Sequence, residues 1–569
     1  MKVLGISAYY HDSAAAVAVD GIIVAAIQEE RLTRIKHDNR FPILSCKWCL
    51  DYCGLDIDDI DMIVFYEKPF LKFERILESI ITYTPSSFKS FLKVMPIWVG
   101  GKLDMKRLIR KTIKANFVCK QLPEIRFIEH HMAHAASAYY TSIADPHQMV
   151  ALLAMDAVGE KATTSLMVAK EGNIRTLFEQ HYPHSVGLLY SAFTYFLGFK
   201  VNSDEYKVMG LAPYGETTSD ETKRFVKIIT SELVDIGQVG DIRLNTRHFK
   251  FMHDFHMIDP NDWEQLFGIA MRLPSSPISQ SHKNLAFAIQ SVTEDIACRL
   301  ATWLKEETNT DVLYITGGCA MNCVMNSAVR ALGLFREVYV PHSPADEGCA
   351  IGAALAVSKS FFSDNANPFL GPSYSDECVL ECLKSTNLKY LRFPDEKLLC
   401  AATAETLSNG KIVGWFQGRM EFGQRALGNR SILADARDAA MKARINAKVK
   451  YREEFRPFAP VVLKEEAPLY FGTNGSPYMM FTTRVKTAAI PAVTHVDNTA
   501  RIQTVGKHDN PLLHLLLNEY KKRTGIPVLL NTSFNVMGEP IVCSPQDAIK
   551  TFYETDIDVL VMGQYLITK

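Results

Sequence analysis

Two histidines one helical turn apart are the first residues in this chain that could hold a metal ion. The stretch EHHMAHAASAYY at 129–140 is otherwise small and largely apolar, which is compatible with a helix. On a helix, His130 and His134 share one face, whereas His131 points elsewhere. Two imidazoles at this spacing are half of a metal site, but a core helix that happens to contain histidines fits the same pattern.

Other side chains with suitable chemistry lie in loops that follow apolar runs. His11 and Asp12 follow the first run of the chain, and Asp156 follows the run MVALLAM at 149–155. Asp346 lies where the loop in VYVPHSPADEG becomes a helix, so it is either a ligand or the N-cap of that helix. Which of these side chains come together depends on the elements that carry them.

The elements that must position these residues follow a pattern that occurs twice. Each copy is strand, polar turn, strand, turn and strand, and the chemically active side chains lie in the first turn. This arrangement resembles the actin-like ATPase folds, in which two such loops face each other across a nucleotide cleft, although chance similarity of short apolar runs is the alternative. The apolar runs lie at 1–7, 13–19 and 22–30 in the first copy and at 149–155, 163–169 and 174–180 in the second.

Composition limits the class of protein. The chain has 569 residues, 47% of them apolar and 22% charged, as expected for about two to four globular domains. The net charge of −1 gives no overall electrostatic preference for nucleic acid or membrane, and we expect neither partner. Twelve cysteines without a disulfide-scaffold pattern, and a start unlike a signal peptide, indicate a cytoplasmic protein.

One segment departs from this balance. Residues 70–114 are rich in Lys and Arg, interleaved with Phe, Ile and Leu. The segment is either a solvated helical insertion with a basic outer face or a binding site for an anionic substrate or surface.

Ordered motifs run along the whole chain. They are HDSAAAV, HHMAHAASA, MDAVGE, DEYKVMGLAPYG, GGCAMNC, PADEGCAIGAAL, EFGQRALGNRSILAD, YREEFRPFAP, TARIQTV and NTSFNVMGEPIV. Together these motifs resemble those of the carbamoyltransferases of the nodulation and antibiotic-tailoring type. The resemblance implies an α/β protein, with a duplicated actin-like (ASKHA) domain at 1–365 and a YrdC-like α/β domain at 396–569. Dense Asp, Asn, Pro, Gly and Ser residues suggest a linker at 366–395.

The resemblance also implies a reaction. The C-terminal domain would convert carbamoyl phosphate and ATP, with Mg²⁺, into carbamoyl adenylate. The N-terminal domain would then transfer the carbamoyl group to a hydroxyl of a small molecule, such as a natural product or sugar. The protein would thus be an O-carbamoyltransferase, and the resemblance is compatible with a homodimer. A threonylcarbamoyl-type transferase acting on tRNA is the alternative, but the near-neutral charge and the fused second domain argue against it.

Residue by residue, the resemblance assigns an iron-type centre to His130, His134, Asp156 and Asp346. Two imidazoles and two carboxylates also suit Mn²⁺ or Zn²⁺. His11 matches the family's candidate general base, although it could instead only orient the acceptor or bind phosphate. Asp12 could orient the imidazole of His11 or bind the acceptor. Nucleotide contacts are expected from Lys207, Gly210, Gly317, Gly318 and Asn322.

Binding of carbamoyl phosphate requires several converging cations and neutral donors, because it is a small dianion. Lys448, Arg452 and Arg456 follow one another at intervals of one helical turn, with a solvated basic face as the other interpretation. The acceptor is not determined, but the segments 70–125 and 240–285 are where we expect acceptor choice. The full set expected for this substrate and for adenylate formation is Arg425, Lys448, Arg452, Arg456, Arg501, Asn531 and Ser533.

Overall fold

The computed structural model describes residues 1–142, 145–359 and 361–569. Contacts along the chain divide it into two units, and His11 and Asp12 fall in the second of them. The first unit comprises Met1–Tyr9, Ala14–Val24 and Phe41–Ala366, and the second comprises Tyr10–Ser13, Ala25–Arg40 and Asn367–Lys569.

Two five-stranded sheets with the same strand order form the framework of the first unit. Its strands are β1 (Lys2–Ser7), β2 (Ala14–Val19), β3 (Ile22–Gln28, whose last residues belong to the second unit), β4 (Met62–Phe65), β5 (Glu124–Phe127), β6 (Val150–Met155), β7 (Ala162–Lys170), β8 (Asn173–His181), β9 (Val234–Ile236), β10 (Ile242–Leu244), β11 (Val312–Thr316) and β12 (Glu337–Tyr339). The orders are β3-β2-β1-β4-β5 and β8-β7-β6-β11-β12. In each sheet the central strand pairs antiparallel on one side, β1 with β2 and β6 with β7, and parallel on the other, β1 with β4 and β6 with β11. The duplicated strand pattern is therefore confirmed, and the first unit is actin-like.

Helices cover these sheets, and two of them approach each other unusually closely. A Cβ on Gly352 would lie 1.9 Å from the carbonyl oxygen of Ala133, so only glycine allows α13 to cross α6 at this distance. The helices are α1 (Glu29–Thr33, in the second unit), α2 (Ile43–Cys53), α3 (Pro69–Thr82), α4 (Phe88–Val99), α5 (Met105–Asn116), α6 (His130–Tyr140), α7 (Val186–Phe196), α8 (Glu205–Leu211), α9 (Asp220–Ile228), α10 (Pro260–Phe267), α11 (Gln280–Thr308), α12 (Cys323–Ala331) and α13 (Gly348–Ser358).

The second unit is built on an eight-stranded mixed sheet with apolar clusters on both faces. Alternate residues of one strand enter different clusters, because side chains of a strand point to opposite faces: Ile432 belongs to one and Leu433 to the other. Its elements are α14 (Asp376–Lys384), β13 (Lys389–Arg392), α15 (Glu396–Ser408), β14 (Val413–Phe416), β15 (Arg430–Asp435), α16 (Met441–Ile445), β16 (Ala459–Leu463), α17 (Ala467–Phe471), β17 (Thr482–Arg484), β18 (Thr499–Arg501), β19 (Gln503–Val505), α18 (Pro511–Thr524), β20 (Val528–Ser533), α19 (Pro545–Glu554), β21 (Val559–Met562) and β22 (Tyr565–Thr568). The sheet order is β13-β22-β21-β14-β15-β20-β16-β19.

The segment 366–395, assigned to a linker by its composition, contains α14 and β13. Because β13 pairs antiparallel with β22, this part of the segment belongs to the sheet of the second unit. Its Pro, Gly and Ser residues mark turns between short elements. The likeness of this unit to the YrdC fold stays a prediction.

Two further features concern the chain as a whole. Among the helices of the described ranges, none is long and apolar enough to cross a membrane. All twelve cysteines are free thiols.

Candidate metal and active site

Two imidazoles and two carboxylates converge inside the first unit. Nε2 of His130 lies 3.0 Å from Oδ2 of Asp156 and 3.1 Å from Nε2 of His134. Oδ1 of Asp346 lies 3.5 Å from each of these Nε2 atoms, and His134 Nε2 lies 4.0 Å from Asp156 Oδ2. All four side chains are buried. The structure thus brings together the four residues that the sequence analysis assigned to a metal centre.

Three elements bring these side chains to one point. Helix α6 supplies both histidines, the end of β6 supplies Asp156, and the loop before α13 supplies Asp346. The backbone N–H of Gly318 donates to Oδ1 of Asp156 at 3.2 Å, which fixes the carboxylate. Gly317 adopts a φ of 89°, a left-handed conformation that suits glycine at this tight turn. Helix α13 begins after Glu347 as its N-cap and has no side-chain capping hydrogen bond, so Asp346 is not its cap.

The spacing of the four ligand atoms fits a divalent ion. Ligands about 2.1 Å from one ion are separated by about 3.0 Å when they are octahedral neighbours and by about 3.4 Å in a tetrahedron. The observed separations of 3.0 to 4.0 Å cover this range. Imidazole nitrogens with carboxylate oxygens are donors that Fe²⁺, Mn²⁺ and Zn²⁺ accept. The residues present therefore fit the metal that the family resemblance implies.

The charges of this cluster depend on one another. Burial alone would lower the pKa of His130, but the carboxylates of Asp346, Asp156 and Glu160 raise it to about 9. Burial opposes ionisation of Asp156, yet its hydrogen bond from His130 and the charges of His130 and His134 hold its pKa well below the usual range. In the absence of a metal ion, the cluster therefore contains an imidazolium paired with a carboxylate.

Glu160 fixes the beginning of α6. Its two carboxylate oxygens each accept the backbone N–H of His130 at 3.1 Å, and one also accepts the N–H of Lys68 at 2.6 Å. A carboxylate is stabilised at a helix N-terminus, where N–H groups lack partners within the helix. Burial nevertheless raises the pKa of Glu160. Glu160 is the last residue of the motif MDAVGE, and no role was expected for it from the sequence.

The middle histidine of the motif lies outside the cluster. Nδ1 of His131 is 2.6 Å from the hydroxyl of Ser165 on β7. Burial, followed by the charges of His130 and His134, lowers its pKa to about 3. His131 is therefore a neutral core residue.

Cys349 is a neighbour that the sequence analysis did not consider. It lies within the first turn of α13, and its Sγ is within 4.8 Å of ligand atoms of His130, His134 and Asp346. Burial, with the charges of Asp346 and Asp156, raises the pKa of this thiol well above its usual value. In the sequence, only its position three residues after Asp346 indicated that Cys349 lies near this cluster.

The residues expected to contact a nucleotide lie in α8 and around the start of α12. Nζ of Lys207 lies 3.1 Å from Asp204, and Gly210 is buried in α8. Asn322 is the N-cap of α12, since its Oδ1 accepts the N–H of Met325 at 3.0 Å. Its amide also donates to Gln290 at 2.9 Å, so this side chain has a structural role in addition to any contact with a nucleotide.

A second group of titratable residues lies in the second unit. The buried carboxylate of Asp12 is 3.1 Å from Nδ1 of His11 and 2.7 Å from Nδ1 of His37. Burial opposes its ionisation, but the hydrogen bonds with both imidazoles hold the pKa of Asp12 well below the usual range. Each imidazole is about a quarter exposed. Asp12 and His37 have φ angles of 50° and 56°, a left-handed conformation that is uncommon for residues other than glycine.

His37 was missed by the sequence analysis because it lies 25 residues from Asp12. The loop that carries it is fixed by Glu30, which accepts the backbone N–H of His37 at 2.8 Å and pairs with Arg31 at 2.6 Å. Asp12, Glu30 and His37 also form a group that could hold a cation. The ion pair of Glu30 with Arg31 already engages one of those carboxylates.

The polar residues expected in the second unit are held by networks around the sheet. Glu421 fixes the loop that carries Arg425, because its Oε1 accepts the backbone N–H groups of Leu427, Asn429 and Arg430 at 2.7, 2.8 and 3.1 Å. The buried amide of Asn531 on β20 donates to Gln503 at 2.7 Å. Arg501 lies at the end of β18.

The expectation that Lys448, Arg452 and Arg456 continue along one helical face is wrong. A π-helical turn at Asn446–Lys450 follows α16 and ends at Tyr451, whose φ of 49° turns the chain. Lys448 is exposed and lies 3.9 Å from Asp556. The guanidinium of Arg452 donates instead to Asn446 at 2.8 Å, and Arg456 lies 3.5 Å from Glu453. Spacing alone predicts a shared face only while the helix continues.

Lys450 is a buried lysine of this region for which no role was expected from the sequence. Its Nζ donates to the backbone oxygen and hydroxyl of Ser533 at 2.5 and 3.1 Å, and to the backbone and side-chain oxygens of Asn535 at 3.0 and 2.8 Å. Burial, with the charges of Arg452, Arg456 and Lys36, lowers its pKa well below the usual value. Lys450 therefore lies among cations, an environment that suits an anionic ligand.

Comparison with known proteins identifies the class. The family model of the carbamoyltransferase N-terminus matches residues 2–355, and that of the carbamoyltransferase C-terminus matches residues 404–569. The chain belongs to the carbamoyltransferase family.

The chain is also similar to individual proteins. The chain is 36% identical to the nodulation protein NolNO of Sinorhizobium fredii, over 99% of this chain and 79% of that protein. It is 38% identical to the 3'-hydroxymethylcephem-O-carbamoyltransferase of Streptomyces clavuligerus, over 44% of this chain and 47% of that enzyme. Component A of the (R)-2-hydroxyglutaryl-CoA dehydratase of Acidaminococcus fermentans aligns over 62% of this chain and 96% of its own, at 14% identity and a TM-score of 0.31.

Proposed function

We propose that this carbamoyltransferase is an O-carbamoyltransferase of the cytoplasm that uses carbamoyl phosphate and ATP. Water would hydrolyse carbamoyl phosphate to carbamate and inorganic phosphate, and the carbamate would attack the α-phosphorus of ATP, releasing pyrophosphate and forming carbamoyl adenylate. A hydroxyl of a small-molecule acceptor would then attack the carbamoyl carbon, releasing AMP and one proton. The observation that carries this proposal is the convergence of His130, His134, Asp156 and Asp346 in a chain of this family.

These four residues would hold a divalent ion, with Fe²⁺ first by family resemblance and Mn²⁺ or Zn²⁺ also suited to the donors. When bound, such an ion supplies positive charge for the phosphate of the leaving AMP. The chain contributes the rigid support, because α6, β6 and the loop before α13 fix the four donors before any ligand binds. Preorganised donors avoid the cost of ordering them during the reaction.

The pair of imidazoles on Asp12 would accept the proton of the acceptor hydroxyl. A carboxylate that is ionised can only accept, so Nδ1 of His11 and Nδ1 of His37 each carry the hydrogen in their bonds to Asp12. The lone pair of each neutral imidazole then lies on Nε2, and the charge of Asp12 stabilises the imidazolium that forms. A positioned base of this kind contributes about 10² to 10⁴ in rate.

The second unit would carry out adenylate formation. Arg425, Arg452, Arg456 and Arg501 are proposed to bind phosphate oxygens, with Asn531 and Ser533 as neutral donors. Lys450 joins this set because its buried Nζ fixes Ser533 and Asn535 and lies among cations. Lys448, which is exposed beside Asp556, is proposed only to add positive charge around the phosphate-binding residues. Lys207, Gly210, Gly317, Gly318 and Asn322 stay proposed nucleotide contacts of the first unit, with Mg²⁺ accompanying ATP.

Release of phosphate, pyrophosphate and AMP tests the proposal. Incubation with ATP and carbamoyl phosphate should release pyrophosphate only when both are present. Arg501→Ala should abolish this release, whereas Asp346→Ala should preserve it and lose transfer from synthetic carbamoyl adenylate to an acceptor alcohol. Pyrophosphate release that is independent of carbamoyl phosphate would contradict the proposal.

A parallel incubation addresses the alternative reaction. The protein is supplied with tRNA, threonine, bicarbonate and ATP, and the tRNA nucleosides are analysed by mass spectrometry. Formation of threonylcarbamoyl-modified tRNA would replace the proposed acceptor class. Unmodified tRNA, together with carbamoyl phosphate-dependent AMP release in the presence of alcohols, is the expected result.

A further inference from the structure

A basic and apolar surface segment of the first unit is not explained by carbamoyl transfer. Residues 79–123, here called the basic segment, contain nine lysines and arginines against one aspartate, a net charge of +8. The remaining chain is correspondingly acidic, because the total is −1. The net charge of the whole protein therefore conceals a strongly cationic region.

Helix α4 in this segment carries large apolar side chains on its outer side. Phe88, Leu92 and Val99 follow one another at spacings of four and seven residues, which places them on one face of the helix. Each is more than half exposed. The inner side of α4 is already used, since Trp98 is buried and its ring lies 5.4 Å from the ring of Phe73 on α3. The outer face is therefore a continuous apolar stripe at the surface.

Cations lie beside this stripe on α4 and follow it along the chain on α5. Lys89 and Lys93 are exposed on α4, one residue after Phe88 and Leu92 respectively. Helix α5 buries Met105, Ile109 and Ile113, which leaves its basic residues outward. These exposed residues are Lys106, Arg107, Arg110, Lys111 and Lys114.

We propose that the outer faces of α4 and α5 dock on a membrane surface rich in anionic lipids. Aromatic and aliphatic side chains of α4 would enter the headgroup region, while the lysines and arginines contact lipid phosphates. This combination of exposed Phe, Leu and Val with flanking cations is typical of helices that lie in the membrane interface. The docking is peripheral, goes beyond the proposed function, and replaces the expectation of no membrane partner, which rested on the charge of the entire chain.

Two other occupants fit the surface less well. A second copy of this chain, related by a twofold axis, would place one +8 segment against another, and like charges in contact are unfavourable. A nucleic acid would pair with the cations but would leave Leu92 and Val99 without an apolar environment. An anionic bilayer satisfies both kinds of side chain.

Co-sedimentation with vesicles tests the proposal on the full-length protein. Vesicles of phosphatidylcholine alone are compared with vesicles that contain about 30% phosphatidylglycerol. We expect binding to the anionic vesicles at least about tenfold stronger than to the neutral ones, and weaker at high salt. The double variants Phe88→Ser/Leu92→Ser and Lys89→Glu/Lys93→Glu should each lose at least about tenfold in partition coefficient.

The matched control is Leu469→Ser, which removes an exposed leucine of the second unit and should bind vesicles like the wild type. Thermal unfolding checks that every variant is folded. The proposal is overturned if the wild type does not bind anionic vesicles, or if both double variants bind as well as the wild type. It is also overturned if the wild type self-associates in sedimentation velocity and Phe88→Ser/Leu92→Ser alone disrupts this, because a second copy would then cover the face.

Discussion

The Nε2 atoms of His130 and His134 lie 3.1 Å apart, with Oδ1 of Asp346 at 3.5 Å from both. Two imidazole nitrogens at this distance share at most one proton. If neither a proton nor a metal ion lies between them, their lone pairs face each other and repel. The cluster therefore has two favourable states, one protonated and one with a metal ion. The two states respond differently to substitution, pH and chelators.

Removal of one imidazole should abolish metal binding. His134→Ala is expected to reduce bound metal from about one ion per chain to near zero, because three donors of a buried site cannot replace the fourth. Metal content is measured by mass spectrometry of the folded, purified protein. His131→Gln is the matched control: it alters the neighbouring histidine, which contacts Ser165 and not the cluster, and should retain the ion. Equal metal content in His134→Ala and wild type would remove His134 from the ligand set.

The stability of the metal-free protein should fall at alkaline pH. Although burial opposes it, the neighbouring carboxylates raise the pKa of His130 to about 9, above its unfolded value of about 6.5. A proton bound more tightly in the folded state stabilises it fully below about pH 6.5, and this contribution is lost as the pH rises through about 9. Denaturant unfolding from pH 6 to about 10 measures the effect.

The control for this pH dependence is His130→Gln, which should lose the alkaline step while other titrations remain. With saturating metal, the stability should instead rise with pH, because an imidazole binds a metal ion in its deprotonated form. An alkaline step of equal size in wild type and His130→Gln would show that another group is responsible.

Loss of the buried lysine should affect both stability and adenylate formation. Lys450→Met removes the Nζ donor that Ser533 and Asn535 share, while the backbone N–H of Asn535 and the hydroxyl of Ser533 still donate within this pair. We expect the free energy of unfolding to fall by about 0.5–1.5 kcal/mol, the usual net contribution of a hydrogen bond. Pyrophosphate release should fall with it. Lys448→Met, two residues earlier and exposed, should change stability by less than about 0.5 kcal/mol. Similar losses in both variants would indicate that charge in this region matters more than the buried contacts.

The histidines on Asp12 should share one tautomer. Nitrogen-15 spectra of histidine-labelled protein near neutral pH are expected to show the hydrogen on Nδ1 of His11 and on Nδ1 of His37, because both bond to an ionised carboxylate. His11→Gln and His37→Gln assign the signals. Asp12→Asn should shift both towards the mixture typical of exposed imidazoles. If the signals keep their positions in Asp12→Asn, the carboxylate does not orient the rings.

A methyl group between α6 and α13 should disturb the metal cluster from a distance. Gly352→Ala would place its Cβ 1.9 Å from the carbonyl oxygen of Ala133, which forces the helices apart. Overpacking of this kind costs about 1–3 kcal/mol of stability, and we expect weaker metal binding in calorimetric titration as well. Gly101→Ala, where a Cβ meets nothing within 4 Å, is the control. Unchanged metal affinity in a destabilised Gly352→Ala would separate helix packing from the geometry of the site.

Local patterns in the sequence predicted most of the first unit. Apolar runs separated by polar turns correspond to β1, β2 and β3 and again to β6, β7 and β8. The i, i+4 spacing placed His130 and His134 on one face because it is a property of any helix. Patterns of this kind can be recognised in the sequence because they depend only on residues that are neighbours in the chain.

Long-range partners escaped the sequence analysis. Lys450 contacts Ser533 across 83 residues of chain, and nothing near Lys450 distinguishes it from the exposed Lys448. His37 meets Asp12 across 25 residues of chain, and both adopt left-handed backbone conformations that the sequence does not reveal. The basic residues of 70–114 were visible in the sequence, but the exposure of Phe88, Leu92 and Val99 beside them is a property of the fold.

The sequence by itself, through its resemblance to the family, determined the four residues of the candidate metal cluster and the elements that carry them. The tertiary structure decided that Asp156 and Asp346, from different loops, point at the same two imidazoles, and that His131 does not. The physical reason is packing: the approach of α13 to α6 at Gly352 and the hydrogen bond from Gly318 to Asp156 set distances that no spacing along the chain encodes.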